Sequence, residues 1–111
     1  MRQKDVCWIV FPFSDFGGEK HRPALILSND SYNKESEDIL ICAITSSLAV
    51  KPYSLPLDES CFSEGSLPLQ SRLRCDKIMT VHKPLVGRKI GRVNDETFAK
   101  AVKEINKLLG Q

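Results

Sequence analysis

Apolar residues arrive in short runs along most of this chain, and their spacing changes only near the end. Residues 6–13 are apolar and β-rich, with Pro12 marking an edge or a strand end. Residues 23–28 form a short continuous apolar run of the kind a central strand carries. Residues 38–46 give the clearest strand, apolar on both faces until Thr45 and Ser46 arrive at its C-terminal end. Residues 52–57 read as a further strand, confined to an edge by Pro52 and Pro56. Residues 67–81 read as one or two strands bent near Asp76 and Lys77, and residues 89–93 as a short last one. Between them, residues 14–21 carry Gly17-Gly18 and charge, as a loop does. Residues 29–38 are polar and turn-rich, with room for one helical turn.

The period then becomes helical. Phe98, Ala101/Val102, Ile105 and Leu108/Leu109 recur at the 3–4 spacing of one buried face. Asn94 or Asp95 can cap this helix, Asp95-Glu96 suits the positive end of its dipole, and Gly110 ends it. Five or more strands followed by one packing helix predict a mainly β fold. The expected form is a strongly curved antiparallel sheet or partial barrel closed by the C-terminal helix.

At 111 residues the chain has room for one domain. Its apolar runs, residues 39–44 among them, are far too short to span a bilayer, and no signal-peptide pattern opens the chain, so a cytoplasmic protein is expected. The net charge of +2 is too weak for a protein held to duplex DNA by bulk attraction. The charge is unevenly spread, however. Residues 72–92 hold seven Lys/Arg against one acid, Asp76, which makes either a solvated basic edge or a face for a polyanion. The cysteines at 7, 42, 61 and 75 form no CxxC and lie near no histidine cluster, so zinc spacing is absent. They read as reduced structural residues, three of them inside apolar strand-like stretches.

No metal or nucleotide motif is present, and Gly17-Gly18 lacks the spacing of a phosphate-binding loop. The chemistry therefore rests on strand-end residues. In an extended strand Arg74 and Asp76 share a face. Such a pair is either a surface salt bridge or a phosphate clamp with a proton acceptor beside it. Pro23 forces Arg22 into an extended conformation at the entrance of a strand, holding its guanidinium near the sheet's rim. Thr45 and Ser46 place two hydroxyls at the end of a buried strand, where they either satisfy the following turn or meet a ligand. His82, before Lys83-Pro84, reads as a turn residue.

Several segments carry a resemblance. They are Phe11-Pro-Phe-Ser-Asp15, Arg22-Pro-Ala-Leu-Ile-Leu-Ser-Asn29, Ala43-Ile-Thr-Ser46 and Leu73-Arg-Cys-Asp-Lys-Ile-Met-Thr-Val81, with Gly91-Arg-Val93 before the helix. In this order, over nearly the whole chain, they resemble the MazF/PemK toxin family. The resemblance implies an SH3-like partial barrel, a homodimer, and a toxin that cuts single-stranded RNA and is silenced by a cognate antitoxin. It implies metal-independent transesterification without a cofactor, leaving a 2′,3′-cyclic phosphate and a 5′-hydroxyl. Arg22 and Thr45 match the arginine and threonine of MazF-type members, and Arg74 and Asp76 match the Arg-x-Asp that PemK-type members use as acid and base. Phe13, Ser46, Ser71 and Lys77 are the implied RNA contacts. This chain departs from the family where Lys4 replaces the glycine usual before Asp5, and where His21 stands later in its loop than the family histidine.

Two other functions fit the same architecture. A CcdB-like toxin that binds DNA gyrase would not need the set Arg22, Thr45, Arg74 and Asp76. An SH3-like module binding RNA or a peptide would lean on aromatic stacking, and the chain has only eight aromatic residues.

Overall fold

A computed structural model describes residues 1–11 and 20–111. Seven strands, β1 (Asp5–Phe11), β2 (Lys20–Ile26), β3 (Asp38–Thr45), β4 (Ser54–Leu57), β5 (Phe62–Gly65), β6 (Ser71–His82) and β7 (Val86–Val93), form one antiparallel sheet. Its order is β4-β6-β3-β2-β1-β7-β5, curled into a half-barrel. A short helix α1 (Asp30–Glu35) links β2 to β3, and a long one, α2 (Asp95–Leu108), ends the chain.

The sheet buries apolar residues on both faces. Val6, Leu25, Cys42, Ile44, Leu73, Cys75 and Val93 point to one core, which α2 closes with Phe98, Ala101 and Ile105. Cys7, Ile9, Ala24, Ile26, Ile39, Ile41 and Val81 form a second core. Alternation along a strand explains the split, since neighbours in sequence point to opposite faces. This is why residues 39–44 of β3 are apolar without a break, with Cys42 and Ile44 in the first core and Ile39 and Ile41 in the second.

Strand β6 needs an irregularity to serve both cores. Leu73, Cys75 and Val81 are all odd-numbered, yet the first two lie in one core and the third in the other. The register supplies the answer: Ala43 pairs Arg74, whereas Cys42 pairs Ile78. Residues 75–77 are thus extra on β6, and an odd insertion flips the face of everything after it. This is the bend expected near Asp76 and Lys77, carried within one strand.

The N-terminus is anchored by charge. Asp5 is buried, with Oδ1 accepting from Arg92 Nη1 at 3.1 Å and lying 3.4 Å from Lys89 Nζ, while Oδ2 accepts from the Arg2 N–H at 2.8 Å. Before it, Lys4 takes a φ of 80°, the left-handed region that favours glycine. Its side chain compensates by crossing to α2, where Nζ lies 2.8 Å from Asp95 and 5.7 Å from the Phe98 ring centre. That contact holds the Asp95 carboxyl below its ordinary value.

Some expectations need correction. His21 is not in a loop: β2 starts at Lys20, because its ladder with β1 continues through Ile9–Arg22, Val10–His21 and Phe11–Lys20. The strand expected over 67–81 starts only at Ser71, since the Ser71 hydroxyl donates to Leu69 O and closes a turn there. Strand β5 was not foreseen. It is four residues long and mostly exposed, and pairing with β7 rather than apolar periodicity makes it a strand. In α2, Asn94 caps as expected, accepting from the Thr97 N–H, but Val102, Leu108 and Leu109 are exposed because only Phe98, Ala101 and Ile105 meet the core.

Candidate active site

The site begins with an unequal pairing. Strand β2 pairs β1 over residues 20–25 but pairs β3 only over residues 24–26. Its first four residues therefore part from the end of β3, and a groove opens between them. Pro23 stands at that parting, where the ladder can spare an N–H. It keeps Arg22 extended, and the Arg22 side chain is exposed with no hydrogen bond or ion pair among the described residues.

Thr45 ends β3 on the opposite wall. Its Oγ1 accepts from the Ser47 N–H at 3.1 Å, which leaves the hydroxyl proton available to a ligand. Arg22, Pro23, Ile44 and Thr45 line both lobes of the groove, with Lys20. One lobe, about 420 Å³, adds Ser46 and Ser71 with Trp8 and the apolar turn Leu67, Pro68 and Leu69. The other, about 300 Å³, adds Arg74, Lys77, Phe11 and Met79.

Arg74 and Asp76 share a face as their spacing predicts. Arg74 Nε donates to Asp76 Oδ1 at 2.8 Å and Nη2 to Oδ2 at 2.7 Å, a two-pronged charged contact with fixed geometry. Hydrogen bonding from Arg74 holds the Asp76 carboxyl below the usual carboxylate range, and the same contact pushes Arg74 further up. The Asp76 side chain remains 29 % accessible, joined to the groove through Arg74.

The structure thus brings Arg22, Thr45, Arg74 and Lys77 around one lobe and Ser46 and Ser71 into the next. Ser71 is buried, and its hydroxyl is already engaged with Leu69 O, so its visible role is to close the turn that walls the groove. Phe13 lies outside the described residues. Among the described residues no three of His, Cys, Asp and Glu converge as a metal site requires. Sequence reasoning missed Lys20, Trp8 and the Leu67–Leu69 turn. Lys20 had a signal, standing two residues before Arg22 on the same strand face. The turn had none, because Leu-Pro-Leu reads as a strand start.

The chain matches the family of PemK-like, MazF-like toxins of type II toxin–antitoxin systems over residues 2–109. A comparison with curated proteins returned no match. Among solved structures, it is similar to an endoribonuclease in complex with its cognate antitoxin from a mycobacterial species, with 22% identity over 99% of this chain and 95% of that one and a TM-score of 0.79. It is also similar to the Mycobacterium tuberculosis toxin MazF-mt6 (20% identity, 96% of each chain, TM-score 0.78). A third likeness is to MazE–MazF from Deinococcus radiodurans (18% identity, 100% of this chain and 97% of that one, TM-score 0.81). With the sheet architecture and the family match in agreement, the chain belongs to the MazF/PemK-like toxins of type II toxin–antitoxin systems.

Proposed function

We propose that this toxin is an endoribonuclease that cuts single-stranded RNA by metal-independent transesterification. The observation that carries this reading is the Arg74–Asp76 fork beside a groove holding the Thr45 hydroxyl and Arg22, which has no ion-pair partner among the described residues. RNA carries its own nucleophile, so the protein need supply only a proton acceptor and stabilisation for the crowded phosphorane. Asp76, a resting carboxylate, takes the proton of the ribose 2′-hydroxyl as its oxygen attacks phosphorus. Arg22 and the Thr45 hydroxyl bind the non-bridging oxygens, where negative charge grows. The P–O5′ bond breaks, the 5′-oxygen takes a proton from water in the open groove, and the 2′,3′-cyclic phosphate remains. Arg74 is too strongly basic to act as the acid. We assign it to orient Asp76 and to meet the phosphate.

Ser46 and Lys77 extend the groove on either side and are assigned to the flanking nucleotides, with Ser71 shaping the wall between and Phe13 assigned to an RNA contact by family resemblance alone. The relatives crystallised with antitoxin support a cognate antitoxin as partner here, and the family supports a homodimer. An acidic antitoxin segment would compete with RNA for the same cations.

The test is incubation of the pure protein with mixed-sequence single-stranded RNA in excess EDTA, followed by mapping of the ends. Cyclic-phosphate ends, lost in Arg74→Ala and Thr45→Ala but kept in His82→Ala, are expected. Intact RNA from folded, antitoxin-free protein would overturn the reading and turn attention to a toxin that acts by binding.

A further inference from the structure

The peptide unit between Arg74 and Cys75 is held from both sides. Its carbonyl, on Arg74, accepts from the Cys42 thiol at 2.8 Å. Its N–H, on Cys75, donates to Tyr53 O at 2.9 Å. Tyr53 has a φ of 60°, a conformation L-residues seldom adopt, at the place where its carbonyl meets Cys75. Just beyond lie residues 75–77, which have no partners on β3.

Such an insertion would ordinarily let the strand rock. A rocking strand would spoil the two-pronged contact between Arg74 and Asp76, which depends on the relative direction of two Cα–Cβ bonds only two residues apart. Cys42 is fully buried beside Cys75, and that neighbouring thiol together with burial pushes its own thiol up, so it stays protonated and its one proton can go to the Arg74 carbonyl. A purely apolar side chain at position 42 would fill the core and leave the Arg74 carbonyl without this donor.

We infer that Cys42 is a positioning residue for the Arg74–Asp76 pair: its thiol, together with the Tyr53 carbonyl, clamps the Arg74–Cys75 peptide so that guanidinium and carboxylate stay aligned at the groove. The competing role is that of a small hydrophobe in the core, which any residue of similar volume would fill. The two roles separate because serine keeps a donor, whereas valine keeps the bulk.

The kinetic part of the test rests on the ribonuclease reading, and the titration part does not. The experiment follows the Asp76 carboxyl carbon by NMR across pH in the full chain for wild type, Cys42→Ser and Cys42→Val, with melting temperatures and RNA cleavage measured alongside. The charges that act on Asp76 are Arg74 and Lys77 on its own strand; they are unchanged throughout. In wild type and Cys42→Ser the Asp76 midpoint should stay below the ordinary carboxylate range. In Cys42→Val it should rise toward that range, with kcat down about tenfold to a hundredfold and KM within about twofold. Cys42→Ala, smaller and also without a donor, repeats the comparison if valine is not accommodated. A wild-type midpoint in the donor-free variants overturns the inference, as do losses in Cys42→Ser and Cys42→Val that merely follow melting temperature. If the midpoints move as expected while wild type leaves RNA intact, the positioning role stands and the ribonuclease reading falls.

Discussion

The groove's charge makes a prediction about salt. Four cations line it: Lys20, Arg22, Arg74 and Lys77. Arg74 is already engaged by Asp76, and the other three have no ion-pair partner among the described residues. A single-stranded nucleic acid releases counterions at about 0.7 per neutralised phosphate, so three such cations meeting phosphates give a slope of log affinity against log salt of about −2. Arg22→Ala should lower the magnitude of that slope by about 0.7 and weaken binding about tenfold or more, the value of one charge-assisted contact. Arg74→Ala should change the slope less, because the removed charge was already matched. Fluorescence anisotropy with a 2′-O-methyl RNA, which binds without offering a nucleophile, measures this between about 50 and 200 mM salt. Lys83→Ala serves as control, since Lys83 lies beyond the end of β6 with its Nζ on Asn33 O. The reasoning is refuted if Arg22→Ala keeps the wild-type slope, or if Lys83→Ala lowers it as much.

Three further outcomes are expected. Arg92→Met leaves the buried Asp5 with only the more exposed Lys89 as a side-chain cation and should cost about 3 kcal/mol, whereas Asp5→Asn lets Arg92 turn toward solvent and should cost about 1–2 kcal/mol; urea melts giving the reverse order would sink this account. At Lys4, glycine should be close to neutral, since the left-handed conformation costs an L-residue about 1 kcal/mol and the exposed Asp95 contact returns less than about 1 kcal/mol, while Lys4→Val should lower the melting temperature. Asp76 has its pKa depressed in the fold, so the stability it gains from Arg74 is complete above the unfolded value of about 3.9 and is lost as pH falls through the lower folded one. The stability gap between wild type and Arg74→Met should therefore hold steady from neutral pH to about 5 and close in stronger acid; chemical denaturation showing a gap that widens on acidification would contradict it.

How far the sequence speaks depends on where the physics is local. Strand β3 was legible because two cores make residues 39–44 apolar without a break, and a run of that kind has few other readings. The C-terminal helix was legible for its period and its Asn94 cap. Pro56 was rightly read as belonging to an edge, since β4 is the last strand on its side of the sheet. What escaped depends on partners far away in sequence. Strand β5 exists only because β7 lies beside it, and Gly65 and Gly91 let the two backbones meet: a Cβ on Gly91 would stand 2.6 Å from Glu64 O. His21 is in a strand because β1 offers it a ladder, whatever its own polarity.

The candidate site combines both kinds of information. Arg74 and Asp76 could be paired from spacing alone because Cys75 between them is buried, so alternation still holds at 74, 75 and 76. The flip to the other core takes effect only after Asp76, and the exposed run through Thr80 is where β6 changes faces before Val81 returns to the core. No residue type announces that change: 73, 75 and 81 have the same parity, and a regular strand would bury all three on one side. The insertion is visible only against β3, as the jump from Ala43–Arg74 to Cys42–Ile78. That jump puts a buried thiol opposite the Arg74 carbonyl, so Cys42, which reads in the sequence as one more core hydrophobe, acquires a neighbour that matters to the pair. The two-residue spacing brings the charges to one face, and the irregular register supplies what keeps them there.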